Sequence, residues 1–593
     1  MGKVHRWRNC ALAILALGVA GPSAAADLAI RIAPRWRGAD LEIPSASLAN
    51  DHSQPLRLTR AALLVSEVAL RRADGGTVRL EGQYGLVDLG GGKREFTVRG
   101  VPAGDFVGLE FRVGVPAAAN LGDPGRWPAG HALNPLANGL HWSWRGGYVF
   151  AALEGHWRPS AGSPAAARGF SFHLATAARL MTVGFRADWK MAGDTTIDLA
   201  LDLARVLAAH RLAADDGSES THSGDGDSLA PVLSAALERA WFWLEAGPSR
   251  GDGRPVAVVA AEGFGVPLPF SVPPGFPQPE LPVDNLPTAA GVALGESLFH
   301  DARLSGNGTQ SCAACHAPAQ AFSDSVPLSR GATGARGRRN AMPLFNLAWH
   351  SAFAWDGGRR RIRDQALAAW TSAIEMAADP ARVTAALARD PALAGKFRAA
   401  FGTPEVSADR VTLALEQYLL VQVAADSRFD RALRGEAGLS AEEKRGFELF
   451  MLEFDPARGR RGADCFHCHG GALFSDYGFK SNGLDRESAD KGLGGVTQRN
   501  GDHGKFKVPS LRNVALTAPY MHDGRFATLE EVVAHYDHGV QRAAALDPNL
   551  AKHPPAGLGL GAEDQRALVA FLRALTEERL RASLPASPAK PAP

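Results

Sequence analysis

Ser311-Cys312-Ala313-Ala314-Cys315-His316 and, further along, Asp464-Cys465-Phe466-His467-Cys468-His469 decide how the second half of this chain is built. C-x-x-C-H spaces two thiols to bond the two vinyl groups of one haem while the next histidine reaches the iron. The chain has five cysteines, and these four are the ones that remain once an N-terminal leader is set aside. The pattern therefore points to two covalently bound c-type haems, one on Cys312, Cys315 and His316, the other on Cys465, Cys468 and His469. C-x-x-C pairs also build disulfides and zinc sites, but neither calls for an adjoining histidine in both copies.

The fifth cysteine, Cys10, lies in a stretch with the marks of export: Lys3, Arg6 and Arg8, an apolar run from Ala11 to Ala20, and the small residues Ala24, Ala25 and Ala26. That run is too short for a permanent anchor, and no other apolar stretch reaches spanning length. The expectation is a signal peptide over 1–26 and a periplasmic protein, without a membrane span, starting near Asp27. The chain holds 64 Lys and Arg against 62 Asp and Glu; without Lys3, Arg6 and Arg8 the balance is 61 against 62. Such a balance gives no electrostatic case for nucleic acid or an anionic membrane.

At 593 residues, two to four domains are expected. Residues 27–246 read as β-rich. Alternation at Glu95–Arg99 and Phe106–Val113, with further strand candidates at Tyr148–Leu153, Phe170–His173 and Met181–Trp189, predicts an all-β, sandwich-like domain. Ser228–Leu244 reads as its closing helix, and Asp215–Asp227 as a polar surface loop. Residues 247–287, rich in Gly and Pro, read as a linker. Helical patterns then dominate an all-α half: a first cytochrome c-type domain over 288–435 and a second over 436–580, before a disordered tail over 581–593. Ser440–Glu443 and Thr528–Glu531 have the spacing of capping boxes. Val411, Leu415, Tyr418 and Leu419 follow helical spacing, with Gln422 ending the stripe.

Several blocks in order, roughly over 273–580, resemble the bacterial diheme cytochrome c peroxidase/MauG superfamily. They are Leu298-Phe299, Asp301–Ser305, Arg339-Asn340, Trp355-Asp356-Gly357, Val508–Asn513 and Ala518–Gly524. The resemblance implies a peroxide-binding haem at His316 and a second haem at His469 with a further axial ligand. In the family that ligand is methionine in typical peroxidases and tyrosine in MauG-like enzymes; the matching residue is Tyr536, with Met521 and His522 as competitors. Leu529, Val532 and Val533 share its helical face, so the ring is expected to point inward. An anionic oxygen is a harder donor than a thioether and favours higher iron oxidation states. The resemblance also implies Trp355 as a relay between the haems, Glu375 as the acid/base and Gln365 as a distal-pocket residue. It implies one calcium ion at Asn340, Thr517 and Pro519, since oxygen donors suit calcium. From the residues alone, these would read as a core tyrosine, a buried indole, solvated helix residues and a turn asparagine.

The first half contains His131-Ala132-Leu133-Asn134-Pro135 and Gly139-Leu140-His141-Trp142-Ser143-Trp144, with Glu154-Gly155 and Phe172-His173-Leu174. These resemble the MbnP family, copper-binding proteins paired with MauG-like (MbnH-like) diheme enzymes that oxidise the first tryptophan of a Trp-x-Trp motif to kynurenine. Here that tryptophan is Trp142, and ring opening would give an amine and a ketone able to join a metal site, which the intact indole cannot. Imidazoles suit copper, so His131, His141 and His173, with modified Trp142, are expected copper ligands. Leu140 and His141 stand where the family commonly has Met-Tyr, which puts the copper site in question. Alternation alone would also place Trp142 and Trp144 on one packed face of a strand.

The expected activity is that of a peroxide-using diheme oxidoreductase whose fused domain is its protein substrate, in cis or in trans. Two rivals are a peroxide-detoxifying cytochrome c peroxidase served by a small redox donor protein, and a non-enzymatic copper-binding electron-transfer protein.

Overall fold

The computed structural model describes residues 25–142, 147–163, 166–213, 216–224, 226–244 and 267–583. Residues 1–24, Trp144, Asp215, the first part of the expected linker (247–266) and the tail from 584 lie outside them.

Two sheets face each other in the N-terminal domain. In the smaller sheet, β1 (Ala26–Trp36) runs parallel to Thr195–Asp202 and antiparallel to Glu95–Val101. The larger sheet is centred on the long strand β2 (Pro55–Arg72), flanked by Gly104–Val113 and β3 (Val149–Trp157), with β4 (Arg168–Ala175) beyond β3. Strand alternation sends Leu28, Ile30 and Ile32 inward from β1, into one core with the buried run Ala61–Val65 of β2. The sandwich read from the sequence is therefore present.

Two local readings change. The helix predicted over Ser228–Leu244 stops at Glu238, and Trp241–Leu244 is a strand paired with Thr195–Asp202. Aromatic residues favour a half-buried sheet position, and the pairing covers the edge of the smaller sheet. The middle of the polar stretch, 219–223, is not a solvated loop. Ser220-Thr221 pair with β4, and Glu219, Ser220, Thr221, His222 and Ser223 are buried.

The C-terminal half is helical, with two separate cores. Helix α1 (Ala408–Leu420) buries Val411, Leu415, Tyr418 and Leu419 in the first, against Leu294 and Leu298 of Ala289–Phe299. In the second, Ala441–Met451 crosses Ala562–Ala574 so closely that Gly446 has no room for a Cβ. The expected capping boxes are both present, at Ser440/Glu443 and at Thr528/Glu531. No described helix is long and apolar enough to cross a membrane. The later part of the expected linker is packed chain: Phe276 is buried, and Pro277 O accepts a hydrogen bond from Trp349 Nε1 (2.6 Å).

The β-domain sits directly on the second haem domain. Gly169 of β4 meets the Pro548 carbonyl with no space for a side chain. Across the seam, His156 Nε2 lies 2.7 Å from Leu546 O, Ser220 Oγ donates to Glu453 (2.7 Å), and Arg458 pairs with Asp227 (3.6 Å).

Candidate functional site

Each haem motif folds as a single tight turn, Cys312–Ala314 in one case and Phe466–His469 in the other. His316 Nδ1 faces Phe322 O at 2.9 Å, and His469 Nδ1 faces Phe474 O at 3.2 Å. A carbonyl can only accept, so each Nδ1 carries the proton and each Nε2 keeps its lone pair for a metal. All four cysteines are free thiols. Burial raises them, Cys312 and Cys465 to about 12. Paired free thiols beside an Nε2 donor fit covalent haem c at both places.

On the first haem's side, Gln365 lies on the helix Ile362–Thr371. Glu375 stands in the turn beyond it, close enough to Cys315 for its charge to be felt there. Desolvation raises the Glu375 carboxyl from its ordinary value, although the residue as a whole is solvent-exposed. Trp355 is buried, and its Nε1 donates to Asn340 O (2.8 Å). The Asn340 side chain donates to the Val326 and Pro327 carbonyls (3.3 and 3.1 Å). Asn340 N donates to His522 O (2.8 Å), tying this turn to the block that carries Thr517 and Pro519. Lys507, buried beside Trp355, is pushed down to about 7 by desolvation.

Tyr536 follows helix α2 (Leu529–Ala534), inside a wider turn of π type over His535–Gly539. Such turns often mark functional positions. Its hydroxyl accepts from Asn482 Nδ2 (3.3 Å), which also lies 3.5 Å from Met521 Sδ, so two of the three competing ligands converge on one amide. Burial raises the phenol to about 12, and Cys468 and Cys465 are near enough to add to the shift. His522 stacks on Phe506 at 3.7 Å instead.

Trp142 packs against both the β-domain core and the core of the second haem domain. Its ring centroid is 6.5 Å from Phe466, the neighbour of haem-attaching Cys465, 5.8 Å from His222 and 6.2 Å from His173. The backbone pinches its loop, Trp142 N donating to Gly147 O (3.0 Å). Trp142, His141 and His173 line a cleft between the domains together with Arg60, Glu154, His467 and Asp476.

The three histidines expected to bind copper divide. His173 is buried and its Nε2 faces Glu154 Oε1 at 2.9 Å. His141 lines the cleft but packs edge-on to Tyr148 (4.5 Å), and burial lowers it to about 4. His131 stacks flat on Trp127 (4.4 Å) and takes a hydrogen bond from Leu133 N, as an aromatic packing residue would. Two residues the sequence reading missed stand beside His173 instead: His222 from the buried 219–223 segment and His467 from between the haem cysteines. Burial lowers His173 and takes His222 down to about 3. The carboxyls of Glu154 and Glu453 would be raised by burial but are held well below their usual range, by Arg60 and His173 in one case and by His222 and Lys552 in the other.

Residues 289–438 match the family model of di-haem cytochrome c peroxidase, and residues 25–223 match that of MbnP. Methylamine utilization protein MauG of Methylophilus methylotrophus is 32% identical over 320 residues, 54% of this chain and 91% of that protein. Cytochrome c551 peroxidase of Pseudomonas aeruginosa is 34% identical over 307 residues, 50% of this chain and 81% of that one. Among solved structures, a MauG-like protein associated with microbial copper homeostasis shares 34% identity, covering 53% of this chain and 95% of its own, with a TM-score of 0.47. Two haem-attachment turns in a helical half that spans most of such relatives make the chain an oxidoreductase of the di-haem cytochrome c peroxidase/MauG family, joined here to an MbnP domain.

Proposed function

We propose that this protein is a periplasmic, peroxide-using diheme oxidase that works on its own N-terminal domain, converting Trp142 to kynurenine and so preparing a copper site. The observation that carries this reading is the seat of Trp142 in cis, in contact with Phe466 of the second haem motif.

When bound at His316 and His469, the haems supply the capacity to take oxidising equivalents from hydrogen peroxide. Around them, Glu375 takes a proton from the incoming peroxide and returns one to the departing oxygen, a task its raised carboxyl suits. Gln365 orients the peroxide. Asn340, Thr517 and Pro519 would hold a calcium ion, which oxygen donors suit, and Trp355 would relay charge between the two haem regions. Tyr536 would offer its phenol oxygen to the iron of the haem held by His469. Trp142 gives up electrons across the seam. Two peroxides add two oxygen atoms to the indole and leave as two waters; hydrolysis then removes one ring carbon as formate and frees the aryl amine.

Peptide mass mapping of haem-loaded protein after peroxide treatment tests this. The gain of two oxygens and the loss of one carbonyl at Trp142, missing in Glu375→Gln, is the expected result. Unmodified Trp142 beside fast, donor-dependent peroxide consumption would replace it with the detoxifying peroxidase.

A further inference from the structure

We infer that His173, His222 and His467 form a single transition-metal site that is complete only when the N-terminal domain is seated on the second haem domain, its third ligand coming from inside the haem-attachment motif. The inference deepens the function proposed above, from which it takes the choice of copper, and it holds whether or not Trp142 is oxidised.

One ring nitrogen from each of the three histidines lies within 4.8 Å of those of the other two. Among the described residues no other three His, Cys, Asp or Glu side chains converge in this way. The side chains are 2% to 6% exposed, so water does not account for their arrangement.

Proton bookkeeping shows what the cluster lacks. His222 Nδ1 lies 2.7 Å from Glu453 Oε1, His467 Nδ1 lies 2.8 Å from Asp464 Oδ1, though poorly aligned for a hydrogen bond, and His173 Nε2 lies 2.9 Å from Glu154 Oε1. A carboxylate accepts and does not donate, so His222 Nδ1 and His173 Nε2 carry their rings' protons in the neutral imidazole. Their opposite nitrogens, His222 Nε2 and His173 Nδ1, are then lone pairs turned toward the cluster. His222 Nε2 and His467 Nε2 lie 2.6 Å apart, a hydrogen bond when His467 carries its proton on Nε2. His173 Nδ1 is buried without a partner. A cation among the three rings takes the place of that one proton and also satisfies His173 Nδ1, which no proton placement does. Each imidazole backed by a carboxylate is also the usual outer arrangement of a metal-bound histidine.

Metal–nitrogen bonds of about 2.0–2.1 Å place ligand nitrogens roughly 3.3–3.6 Å apart. The 2.6 Å between His222 Nε2 and His467 Nε2 falls short of that range, so loading the site spreads those two rings by about 1 Å. Three imidazoles without thiolate suit copper, zinc or nickel, and copper heads the affinity order. Trp142 borders His173 and His222, where an amine released from its ring would face the same ion.

The sources of the ligands give the site its consequence. His173 and His222 belong to the β-domain, and His467 lies between Cys465 and Cys468. A metal bound there ties the two domains together and stands one residue from a haem-bearing thiol.

The test is copper binding by the haem-loaded full-length protein, prepared without peroxide so that Trp142 is intact. Cupric ion is added alone, and bound copper per protein is measured with pulsed electron paramagnetic resonance of the ligand nitrogens. One copper with three coupled imidazoles is expected. His467→Gln, which leaves C-x-x-C-H whole, should keep both haems, lose one imidazole signal and weaken binding at least roughly 10–100-fold, as even outer-shell changes do. His156→Gln, at the seam but outside the cluster, should bind as the parent does. The inference is overturned if the parent binds no copper, if His467→Gln binds it unchanged, or if His156→Gln loses it equally. An unoxidised Trp142 beside an intact three-imidazole signal would defeat the proposed function and leave this site standing.

Discussion

The two haem-attachment turns share a motif and differ in their surroundings. In the first, the residues between the cysteines are Ala313 and Ala314, which have no reach. In the second they are Phe466 and His467, and both touch the other domain: Phe466 meets Trp142, and His467 meets His222 and His173. Thiols and proximal histidine fix the cofactor in both places, while the two spacer positions decide what the cofactor's neighbourhood can speak to.

Exchanging the spacers breaks this comparison most sharply. Phe466→Ala with His467→Ala makes the second turn a copy of the first. Both haems should stay attached by absorbance, while copper binding is lost and mass mapping finds Trp142 unmodified. Next in size is Glu375→Gln on the other side of the molecule. Loss of a positioned acid/base should slow the reaction with peroxide by about 10²–10⁴-fold in stopped flow. In the parent protein the reaction needs Glu375 deprotonated. Its carboxyl is raised, so the rate should fall with decreasing pH along a limb above the ordinary glutamate value of about 4.3.

A third change tests the frame around the second turn. Arg512 makes two hydrogen bonds to buried Asp430 (2.7 and 2.9 Å) and donates to Ala472 O, just beyond the second motif. Asp430→Asn leaves a buried guanidinium uncompensated and should cost about 3–5 kcal/mol, read as a lower unfolding temperature. Burial alone would raise the Asp430 carboxyl, but Arg512 holds it below its usual value. The stability it contributes is therefore present above the unfolded carboxyl's pKa of about 3.9 and is lost as pH falls through the lower folded value. Smallest is Trp142→Phe, which should remove the kynurenine product while leaving the stopped-flow rate of the first reaction with peroxide unchanged.

The haem turns were legible because covalent attachment imposes a fixed local spacing, and the sandwich because strand alternation is local too. The metal trio was not, for reasons particular to its members. His467 sits at a position where the haem motif accepts any residue, so the motif itself hides it. His222 lies in a run of Ser, Asp and Gly that reads as solvated; only pairing of Ser220-Thr221 with β4 and packing on Glu453 bury it. His131 misled because its motif neighbours match a copper-binding family while its ring is spent on Trp127. Trp241–Leu244 continued a helical stripe in sequence, and only the open edge beside Thr195–Asp202 made it a strand.

The close seating of the β-domain on the second motif also sets an order of manufacture. Gly169 against Pro548 and the buried Ser220–Glu453 bond leave little clearance along this seam, and Cys465 and Trp142 pack on the same core as Phe466. Attachment of a haem at this motif is therefore expected to come before the β-domain closes over it.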